Sequence, residues 1–373
     1  MKSRHLFHLI TEILSLRVFP ERAPEVALLF PAEKDEWQRW VQIGSRHLVL
    51  QSLYVTLRKA NLLSNLPSDL VEYLEYIHRL NFERNESIKS QAVEINQLFS
   101  EAGIGCIFMK GTGNLFDSLY SDPGERMLYD IDILVEKNRM LEAAELLIAN
   151  GYQTQKPFNP KALASTMHYP ILVKEGCVAG VELHQNAVRH QYLKSFSTEM
   201  VFSSKKGSLT NESIFVMSDS NKIIHNFIHS QLMHNAHYHA DVSLRNLFDL
   251  LLLSQKVNAY EVISEFGFYR RKALAYFFLM SKVFGLSNSG ATQSFTSKLL
   301  VFRHGFTINL SNKQRAFYHF LITFFIKYIA LPFRTIFDRS ARNYVFSRLR
   351  NPKWYGQHFK AYKRKFTGNR KIN

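Results

Sequence analysis

The sequence predicts an α+β fold, with a small mixed β-sheet between helical N-terminal and C-terminal regions. Apolar residues recur at helical spacing up to about residue 100. Short β-rich segments then alternate with helical ones up to about residue 215, an order typical of a small mixed sheet. Helical spacing returns at about residue 218 and continues to about residue 337. Together these observations place the sheet in the middle third of the chain.

The same changes of pattern divide the 373-residue chain into four regions. We expect a helical N-terminal region (1–100), an α/β core (101–215), a helical C-terminal domain (216–337) and a basic, aromatic tail (338–373). Hydrophobic residues make up 46% of the chain, which excludes an intrinsically disordered protein. The formal net charge of +16 belongs mainly to residues 334–373, which hold twelve Lys and Arg and one Asp. The rest of the chain is only mildly basic.

The cysteine content and the N-terminal segment indicate the cellular compartment of the protein. Two cysteines, Cys106 and Cys177, are too few for a disulfide framework, and we expect a reducing compartment. The N-terminal segment starts basic, but His8, Thr11 and Glu12 interrupt its apolar residues, which argues against a signal peptide. We therefore expect a cytoplasmic protein. If the tail binds lipid, the protein would also make peripheral contact with the inner face of the membrane.

The central region begins with two predicted strands joined by a turn and a helix. IGCIFM (104–109) is a short apolar segment, and Gly103 before it is expected to end the preceding helix. KGTG (110–113) is a glycine-containing turn that opens a helix, NLFDSLY. Such a turn leaves backbone N–H groups free at the positive end of a helix, which suits a phosphate, although most glycine turns are structural. RMLYDIDILVE is the second strand.

A helix and a hairpin complete the central region. NRMLEAAELLIANGY is predicted to be helical and to end at Asn150-Gly151. YPILVKEGCVAGVELHQ contains two β-rich runs around Glu175-Gly176, which predicts a hairpin. The resulting order of strand, helix, strand, helix and hairpin is the basis for the mixed sheet.

The second strand carries two carboxylates on one face. Because side chains alternate along a strand, Asp130 and Asp132 share one face, and Ile131, Ile133 and Val135 share the other. The apolar face can pack on a core, whereas two like charges side by side repel each other unless a cation lies between them. The alternative is an edge strand with a solvated acidic face.

A third carboxylate follows on a later strand. In GVELH, Glu182 and His184 face away from Val181 and Leu183. A carboxylate at the same end of the sheet as the paired aspartates would complete a site for a hard divalent cation. Mg²⁺ prefers carboxylate oxygens together with water and substrate phosphates, and such ions hold the attacking and leaving oxygens in phosphoryl transfer. The three carboxylates therefore indicate a metal-dependent phosphoryl-transfer site.

These motifs resemble those of a family of uncharacterised bacterial nucleotidyltransferases in the polymerase-beta superfamily. The chain contains, in the order and with the spacing of the family pattern, GIGCIFMKG, YSDPGERMLYDIDILV, LLIANGY, VELH and LRNLFDLLLL. The resemblance covers roughly residues 35 to 255. It implies that the α+β fold contains a nucleotidyltransferase core and that the chain acts on a nucleoside triphosphate.

The resemblance also implies roles for individual acidic residues. Asp130 and Asp132 match the paired metal ligands, and Glu182 matches the third carboxylate, the usual candidate for activating an attacking hydroxyl. The implied cofactor is Mg²⁺ or Mn²⁺, with a nucleoside triphosphate as the substrate. His184 and Asp249 are secondary candidates for the same pocket.

Four further residues match positions that contact phosphate in the family. Gly111 and Thr112 stand at the superfamily's Gly-Gly or Gly-Ser turn beside the triphosphate, and Lys110 and Arg126 match the family's own Lys and Arg. Thr112 departs from the usual Gly or Ser at this position. Its hydroxyl keeps a hydrogen bond available, but its methyl group crowds the turn. The resemblance thus implies that all four residues bind the triphosphate.

The expected function is transfer of a nucleotidyl group from a nucleoside triphosphate to an acceptor, with release of pyrophosphate. We expect a small-molecule, saccharide or peptide acceptor. One alternative is an RNA acceptor, as in toxin-like members of the superfamily, which the basic tail favours and the mildly basic body does not. Another alternative is a non-catalytic scaffold that keeps the fold, and the three intact carboxylates argue against it.

Two weaker signals lie in the first C-terminal helices. His225 and His229 are one helical turn apart, a spacing found in zinc sites. No Cys or Glu stands where it would complete such a site, so we favour roles in helix packing or in the substrate pocket. Arg245 and Asp249, four residues apart, are most simply an ion pair within one helix.

The last predicted helix and the tail suggest a surface for a partner. RAFYHFLITFFIKYIALPF (315–333) is apolar, but it is short for a membrane span and contains Lys327. Arg315, His319, Thr323 and Lys327 form one polar stripe, which indicates a buried or an interfacial helix. The tail mixes basic and aromatic residues, a composition that suits an anionic membrane, RNA, or a solvated tail without a ligand.

Overall fold

The computed structural model describes residues 3–155, 167–286 and 293–337, along with Arg342 and residues 345–346, 350–351 and 355–356. The chain forms two compact units, 1–309 and 310–373. The first unit contains helices at its N-terminal end, a seven-stranded mixed sheet and a further set of helices. The predicted α+β class is therefore confirmed.

Helices occupy the N-terminal part of the chain, as the sequence predicts. The α-helices are α1 (Ser3–Ser15), α2 (Ala23–Ala27), α3 (Lys34–Arg46), α4 (Leu50–Lys59) and α5 (Ser68–Glu101). Apolar side chains of α1, α3 and α4 pack into one hydrophobic cluster. Helix α5 is 34 residues long, and Gly103 follows its end with a φ of 64°, a conformation that favours glycine.

Seven strands form one mixed sheet. They are β1 (Cys106–Phe108), β2 (Asp130–Val135), β3 (Gln153–Thr154), β4 (Leu172–Val173), β5 (Gly180–His184), β6 (Lys206–Gly207) and β7 (Phe215–Val216). Their order is β3-β4-β5-β2-β1-β7-β6, with β2 parallel to β5, β1 parallel to β7 and the other neighbours antiparallel. The predicted hairpin is confirmed as β4 and β5. The sequence does not predict β3, β6 or β7, because two residues are too few to show a period.

In the described part of the chain, three α-helices lie between the strands: α6 (Lys110–Phe116), α7 (Met140–Ala149) and α8 (Thr198–Ser203). The expectation of a glycine turn before α6 is wrong, because this helix begins at Lys110 and includes both glycines. Its first turn packs directly on β1, since a Cβ at Gly113 would lie 2.4 Å from the backbone oxygen of Phe108. Only a residue without a side chain allows this approach.

The remaining helices of the first unit follow the sheet in the chain. They are α9 (Asp219–Phe227), α10 (Ala236–His239), α11 (Leu244–Leu253), α12 (Ala259–Ser264), α13 (Arg270–Val283) and α14 (Phe295–Ile308). A π-helical turn, Ile228–Met233, continues α9, and such turns frequently occur at functional sites. Apolar side chains of α9, α11 and α13 join the cluster formed by the N-terminal helices.

The second unit is described mainly over its first part. It contains α15 (Asn312–Phe325), a π-helical segment (Ile326–Ala330) and α16 (Leu331–Arg334). By length and composition, Asn312–Phe333 could cross a membrane, and none of the residues in its apolar stretch is buried. The alternative of a buried helix is therefore wrong. The predicted basic tail, 338–373, lies almost entirely outside the described residues.

Helix α5 holds the segment that leads into the acidic strand β2. The side-chain amide of Asn81 donates to the carbonyl oxygens of Gly124 (2.8 Å) and Arg126 (3.1 Å). The amide of Asn85 donates to the carbonyl oxygens of Pro123 (2.6 Å) and Arg126 (2.7 Å). These buried bonds satisfy backbone oxygens that would otherwise lack partners, and they fix the backbone just before the site.

Replacing Gly113 by alanine should lower the free energy of unfolding by about 2 kcal/mol or more, because the added methyl group meets the backbone of β1. The matched control is Gly305→Ala in α14, where nothing lies within 4 Å of the added Cβ. There alanine should raise the free energy of unfolding by about 0.5–1 kcal/mol through its better helix propensity. Chemical denaturation of both variants checks this, and a neutral Gly113→Ala would contradict the close packing of α6 on β1.

Candidate active site

The parallel pairing of β2 with β5 brings carboxylates from two strands together. Asp132 lies opposite Glu182 in the register, and Asp130 lies opposite Gly180. The alternating apolar side chains of both strands are buried: Ile131, Ile133, Val181 and Leu183. Strand β2 is central in the sheet, so the alternative of a solvated edge strand is wrong.

The carboxylate of Asp132 is the centre of the site. Its Oδ1 accepts hydrogen bonds from the Lys110 ammonium and from His184 Nε2, the latter at 2.8 Å. The same His184 nitrogen lies 3.4 Å from Glu182 Oε2. Candidate ligand atoms of Asp132, Glu182 and His184 all lie within 4.8 Å of one another, which makes these three residues a group that can hold a metal ion.

The charges in this cluster shift one another's pKa values. Burial would raise the pKa of Asp132, but the Lys110 ammonium and the His184 ring outweigh it and lower that pKa below its usual range. The hydrogen bond from His184 lowers the pKa of Glu182. Burial acts to lower the pKa of His184, and its hydrogen bonds to the two carboxylates reverse this and raise it. The cluster therefore keeps both carboxylates ionised and favours the protonated imidazole.

Asp130 faces the same cavity but does not belong to the cluster. Burial, and then repulsion by Asp132, raise the pKa of Asp130 to about 6. No hydrogen bond joins its carboxylate to another residue that the structure describes. Of the three carboxylates predicted to form the site, Asp132 and Glu182 meet each other and His184 in one group, and Asp130 lies beside that group and outside it.

The donor set fits a divalent cation. Asp132 and Glu182 offer carboxylate oxygens, the ligands that Mg²⁺ and Mn²⁺ prefer, and the negative charge of Asp130 lies nearby. Among the described residues, the buried Nδ1 of His184 has no hydrogen-bond partner, and this ring is held by its contacts with the carboxylates and with the ring of His168. Because Lys110 and His184 already bind one oxygen of Asp132, a bound cation would compete with them for that oxygen.

The carboxylates line a cavity of about 360 Å³, which is at the lower end of the range for small-molecule sites. Among the described residues, four cationic side chains and four carboxylates line it: Lys110, Arg126, Lys222, Arg245, Asp130, Asp132, Glu182 and Asp249. These formal charges balance. A bound divalent cation would therefore make the cavity positive and attractive to an anionic ligand such as a triphosphate.

A buried ion pair between Arg126 and Asp249 ties α11 to the segment before β2. Arg126 Nε lies 3.0 Å from both carboxylate oxygens of Asp249, and a terminal nitrogen lies 2.8 Å from Oδ2. The hydroxyl of Tyr120 donates to Asp249 Oδ1 at 3.0 Å. The expected pairing of Asp249 with Arg245 is therefore wrong, because the Arg126 guanidinium takes both carboxylate oxygens in a stronger two-point contact.

Arg245 is consequently a cation without a carboxylate partner. Among the residues that the structure describes, none is hydrogen-bonded or ion-paired to it, and its Nε is buried at the wall of the cavity. Burial, and then repulsion by Arg126, lower the pKa of Arg245 to about 10, so it stays charged at neutral pH. Sequence reasoning missed this residue, because Asp249 four positions later is a sufficient local partner and no local signal reveals the distant Arg126.

The predicted phosphate-binding residues divide between the cavity and the core. Lys110, Gly111 and Arg126 line the cavity. Thr112 does not, because it is buried and its hydroxyl donates to the backbone oxygen of Asp130 at 3.2 Å. Lys110 has a φ of 49°, a strained conformation for a side chain other than glycine and one that is often found at functional sites. The phosphate contacts themselves stay predictions.

Three histidines also line the cavity: His225, His229 and His234. His225 Nε2 lies 3.0 Å from the backbone oxygen of Ala187, and burial, then the Lys110 ammonium, lower the pKa of His225 to about 4. The Nε2 atoms of His229 and His234 lie 3.3 Å apart across the π-helical turn. Within the described part of the chain these rings form no group of three metal ligands, so we interpret them as neutral polar walls of the cavity.

A family model described as an uncharacterised nucleotidyltransferase matches residues 33–265 of the chain. The matched span contains the whole sheet, the carboxylate cluster and every residue that lines the cavity. No curated protein and no solved structure matches the chain. The match confirms the resemblance that the sequence motifs indicate.

The two aspartates of β2 should respond in opposite ways to neutralisation in the metal-free protein. Because the pKa of Asp130 is raised to about 6, its ionised form opposes folding above that pH, and Asp130→Asn should raise the free energy of unfolding at about pH 8 by up to about 2 kcal/mol. This gain should fade between about pH 6 and pH 4. The pKa of Asp132 is lowered in the fold, so Asp132→Asn should lower the free energy of unfolding at every pH above about 4.

Urea denaturation in the presence of EDTA across this pH range measures both effects. The control is Asp69→Asn, which removes an exposed carboxylate of α5 that forms a surface ion pair with Lys34 and should change little. A loss of stability from Asp130→Asn as large as that from Asp132→Asn would contradict the charge distribution in the site.

Proposed function

The chain belongs to this family of uncharacterised nucleotidyltransferases, and we propose that it transfers a nucleotidyl group to an acceptor hydroxyl. The donor is a nucleoside triphosphate, pyrophosphate is released, and the reaction requires Mg²⁺ or Mn²⁺. The observation that carries this proposal is the placement of Asp132 and Glu182, in register on neighbouring strands, at the wall of a cavity with balanced charge. Such a carboxylate pair suits a hard cation, and the cation suits a triphosphate.

Asp132 and Glu182 would hold the cation, with Asp130 beside them. When bound, it would neutralise charge on the triphosphate and make the attacked phosphorus more electrophilic. The state of Asp130 supports this placement, because a nearby divalent cation would relieve the repulsion between its carboxylate and that of Asp132.

Two cationic side chains are available for the triphosphate. Lys110 binds Asp132 in this structure, and a cation on that carboxylate would free the ammonium to contact phosphate oxygens. Arg245 lines the cavity without a carboxylate partner among the described residues, so an anionic ligand would satisfy it. Arg126 is held by Asp249 and by the backbone oxygen of Met127, and we propose that it contributes charge and position more than direct contact.

The acceptor hydroxyl would attack the α-phosphorus of the triphosphate. A bond forms between the acceptor oxygen and phosphorus, the bond to the pyrophosphate oxygen breaks, and the hydroxyl proton passes to a base. Glu182 is the candidate base, because its carboxylate reaches the cavity surface and its lowered pKa keeps it ionised at neutral pH. His184 bonds both Glu182 and Asp132 and would hold the base in position.

We propose a small-molecule, saccharide or peptide acceptor. The cavity is lined by equal numbers of cations and carboxylates, whereas binding sites for an RNA backbone carry an excess of Lys and Arg. The neutral rings of His225 and His229 line the cavity wall, and polar rings of this kind suit the hydroxyl and amide groups of such an acceptor.

Incubation with each nucleoside triphosphate labelled at the α-phosphate, with Mg²⁺ and separate small-molecule, peptide and RNA fractions of cells, tests the transfer. Label should enter the small-molecule or peptide fraction, and Asp132→Asn should reduce transfer and pyrophosphate release at least about 100-fold. Asp69→Asn should leave both rates unchanged. Label in RNA would support the RNA acceptor, intact triphosphate binding without transfer would support the scaffold, and full activity of Asp132→Asn would place the site elsewhere.

Arg245→Ala should raise the KM for the nucleoside triphosphate about 10- to 100-fold, the effect of losing one charge-assisted hydrogen bond to phosphate. Arg245→Lys should recover part of the affinity, because it restores the charge without the planar fork. Arg271→Ala, at the exposed start of α13, is the control and should leave the KM unchanged. Pyrophosphate release at varied triphosphate concentration gives the three KM values, and an unchanged value for Arg245→Ala would exclude this residue from the triphosphate site.

A further inference from the structure

The helical segment at residues 312–337, in the second unit, exposes an unusual amount of apolar surface. It comprises α15, the π-helical segment, α16 and three further residues, and it contains no Asp or Glu. Nine of its large apolar side chains are at least 44% exposed. Soluble proteins rarely leave so large a contiguous apolar surface in contact with water, so a partner is expected to cover it.

Four exposed side chains of α15 and of the π-helical segment that follows it share one face of the helix. Phe317, Leu321, Phe324 and Tyr328 follow one another at intervals of four, three and four residues, which places them in one row along the helix. Each of the four is between 44% and 58% exposed. We call this row the apolar face.

Three of the four residues of the polar stripe predicted from the sequence lie on the opposite side of the same helix, and the fourth, Lys327, lies in the π-helical segment and is exposed. Arg315, His319 and Thr323 stand about half a helical turn away from the apolar face. These three residues are only partly exposed, and each of them has interaction partners. In a helix at a water-exposed protein surface, the apolar stripe is covered by the protein core and the polar stripe faces water. The exposure along α15 is the reverse of that pattern.

The charges of this part of the chain suit an anionic surface. Lys313 and Arg315 stand at the start of the segment and Arg334 near its end, with no acidic residue between them. The sequence from residue 334 to residue 373 adds a net charge of +11. Basic residues next to an apolar helix attract the anionic headgroups of a membrane, and aromatic residues anchor at its interface.

We propose that the apolar face lies in the interface of an anionic lipid bilayer and holds the protein at the membrane surface. This inference is independent of the proposed nucleotidyl transfer. A second copy of the chain is a poorer partner, because two such segments would bring like charges together. Lys327 makes a spanning orientation unfavourable, since its charge would lie within the hydrocarbon core, whereas at the interface its ammonium reaches the headgroups.

Flotation of the full-length protein with vesicles tests the proposal. Vesicles of phosphatidylcholine with phosphatidylglycerol should bind the protein, and binding should weaken in phosphatidylcholine alone and at high salt. Phe317→Ser/Leu321→Ser should weaken binding at least about tenfold, because both side chains leave water on binding. The matched control is Phe268→Ser/Leu209→Ser, which removes one Phe and one Leu, 87% and 70% exposed, from the first unit and should bind like the unchanged protein.

Three outcomes would overturn the proposal. The first is equal vesicle binding by the two double variants, which would exclude the apolar face. The second is absence of vesicle binding together with self-association in sedimentation or with RNA binding, which would identify a second copy or RNA as the partner. The third is retention on vesicles after an alkaline carbonate wash, which would show a spanning helix in place of an interfacial one.

Discussion

The shared hydrogen bonding of the Asp132 carboxylate is the interaction on which the site depends. This carboxylate lies on β2 and accepts hydrogen bonds from Lys110 at the start of α6 and from His184 at the end of β5, so three elements meet at one buried point. Without such partners a buried carboxylate would strongly destabilise the fold. Three further features position the groups of this contact. They are the register of β2 with β5, the strained φ of Lys110 and the close approach of α6 to β1. Glu182 then lies beside Asp132 because the strands are in register.

Internal pairing satisfies most of the charges around the cavity. The pairs are Lys110 with Asp132, His184 with Glu182, Arg126 with Asp249, and Lys222 with Asp117. Two charges remain outside these pairs in the described part of the chain, the carboxylate of Asp130 and the guanidinium of Arg245. A metal–triphosphate complex has a partner for each of these charges. Its divalent cation would attract the carboxylate of Asp130, and its phosphate oxygens would bind the guanidinium of Arg245. The folded chain therefore leaves outside its direct ion pairs the two charges that the proposed ligand would bind.

Strand periodicity predicts the local part of this arrangement, and long-range contacts decide the rest. Alternation along each strand places Asp130 with Asp132, and Glu182 with His184, but neither strand contains information on the register between them. The family resemblance implies only that the three carboxylates share one site. The partner of Asp249 was beyond local reasoning, because Arg126 is 123 residues away in the chain. The sequence also does not predict that α6 begins at Lys110. Gly113 allows α6 to approach β1 closely and does not form a turn, and the local sequence does not show this contact.

Binding of Mn²⁺ with and without a non-hydrolysable nucleoside triphosphate tests the role of Asp132 most directly. Electron paramagnetic resonance measures the free Mn²⁺, and the triphosphate without protein corrects for the complex that forms in solution. In the unchanged protein the triphosphate should tighten Mn²⁺ binding at least about tenfold, because cation and phosphates neutralise each other in one cavity. Asp132→Asn should abolish this coupling. Equal coupling in both proteins, or none in the unchanged protein, would contradict a cation site at Asp132.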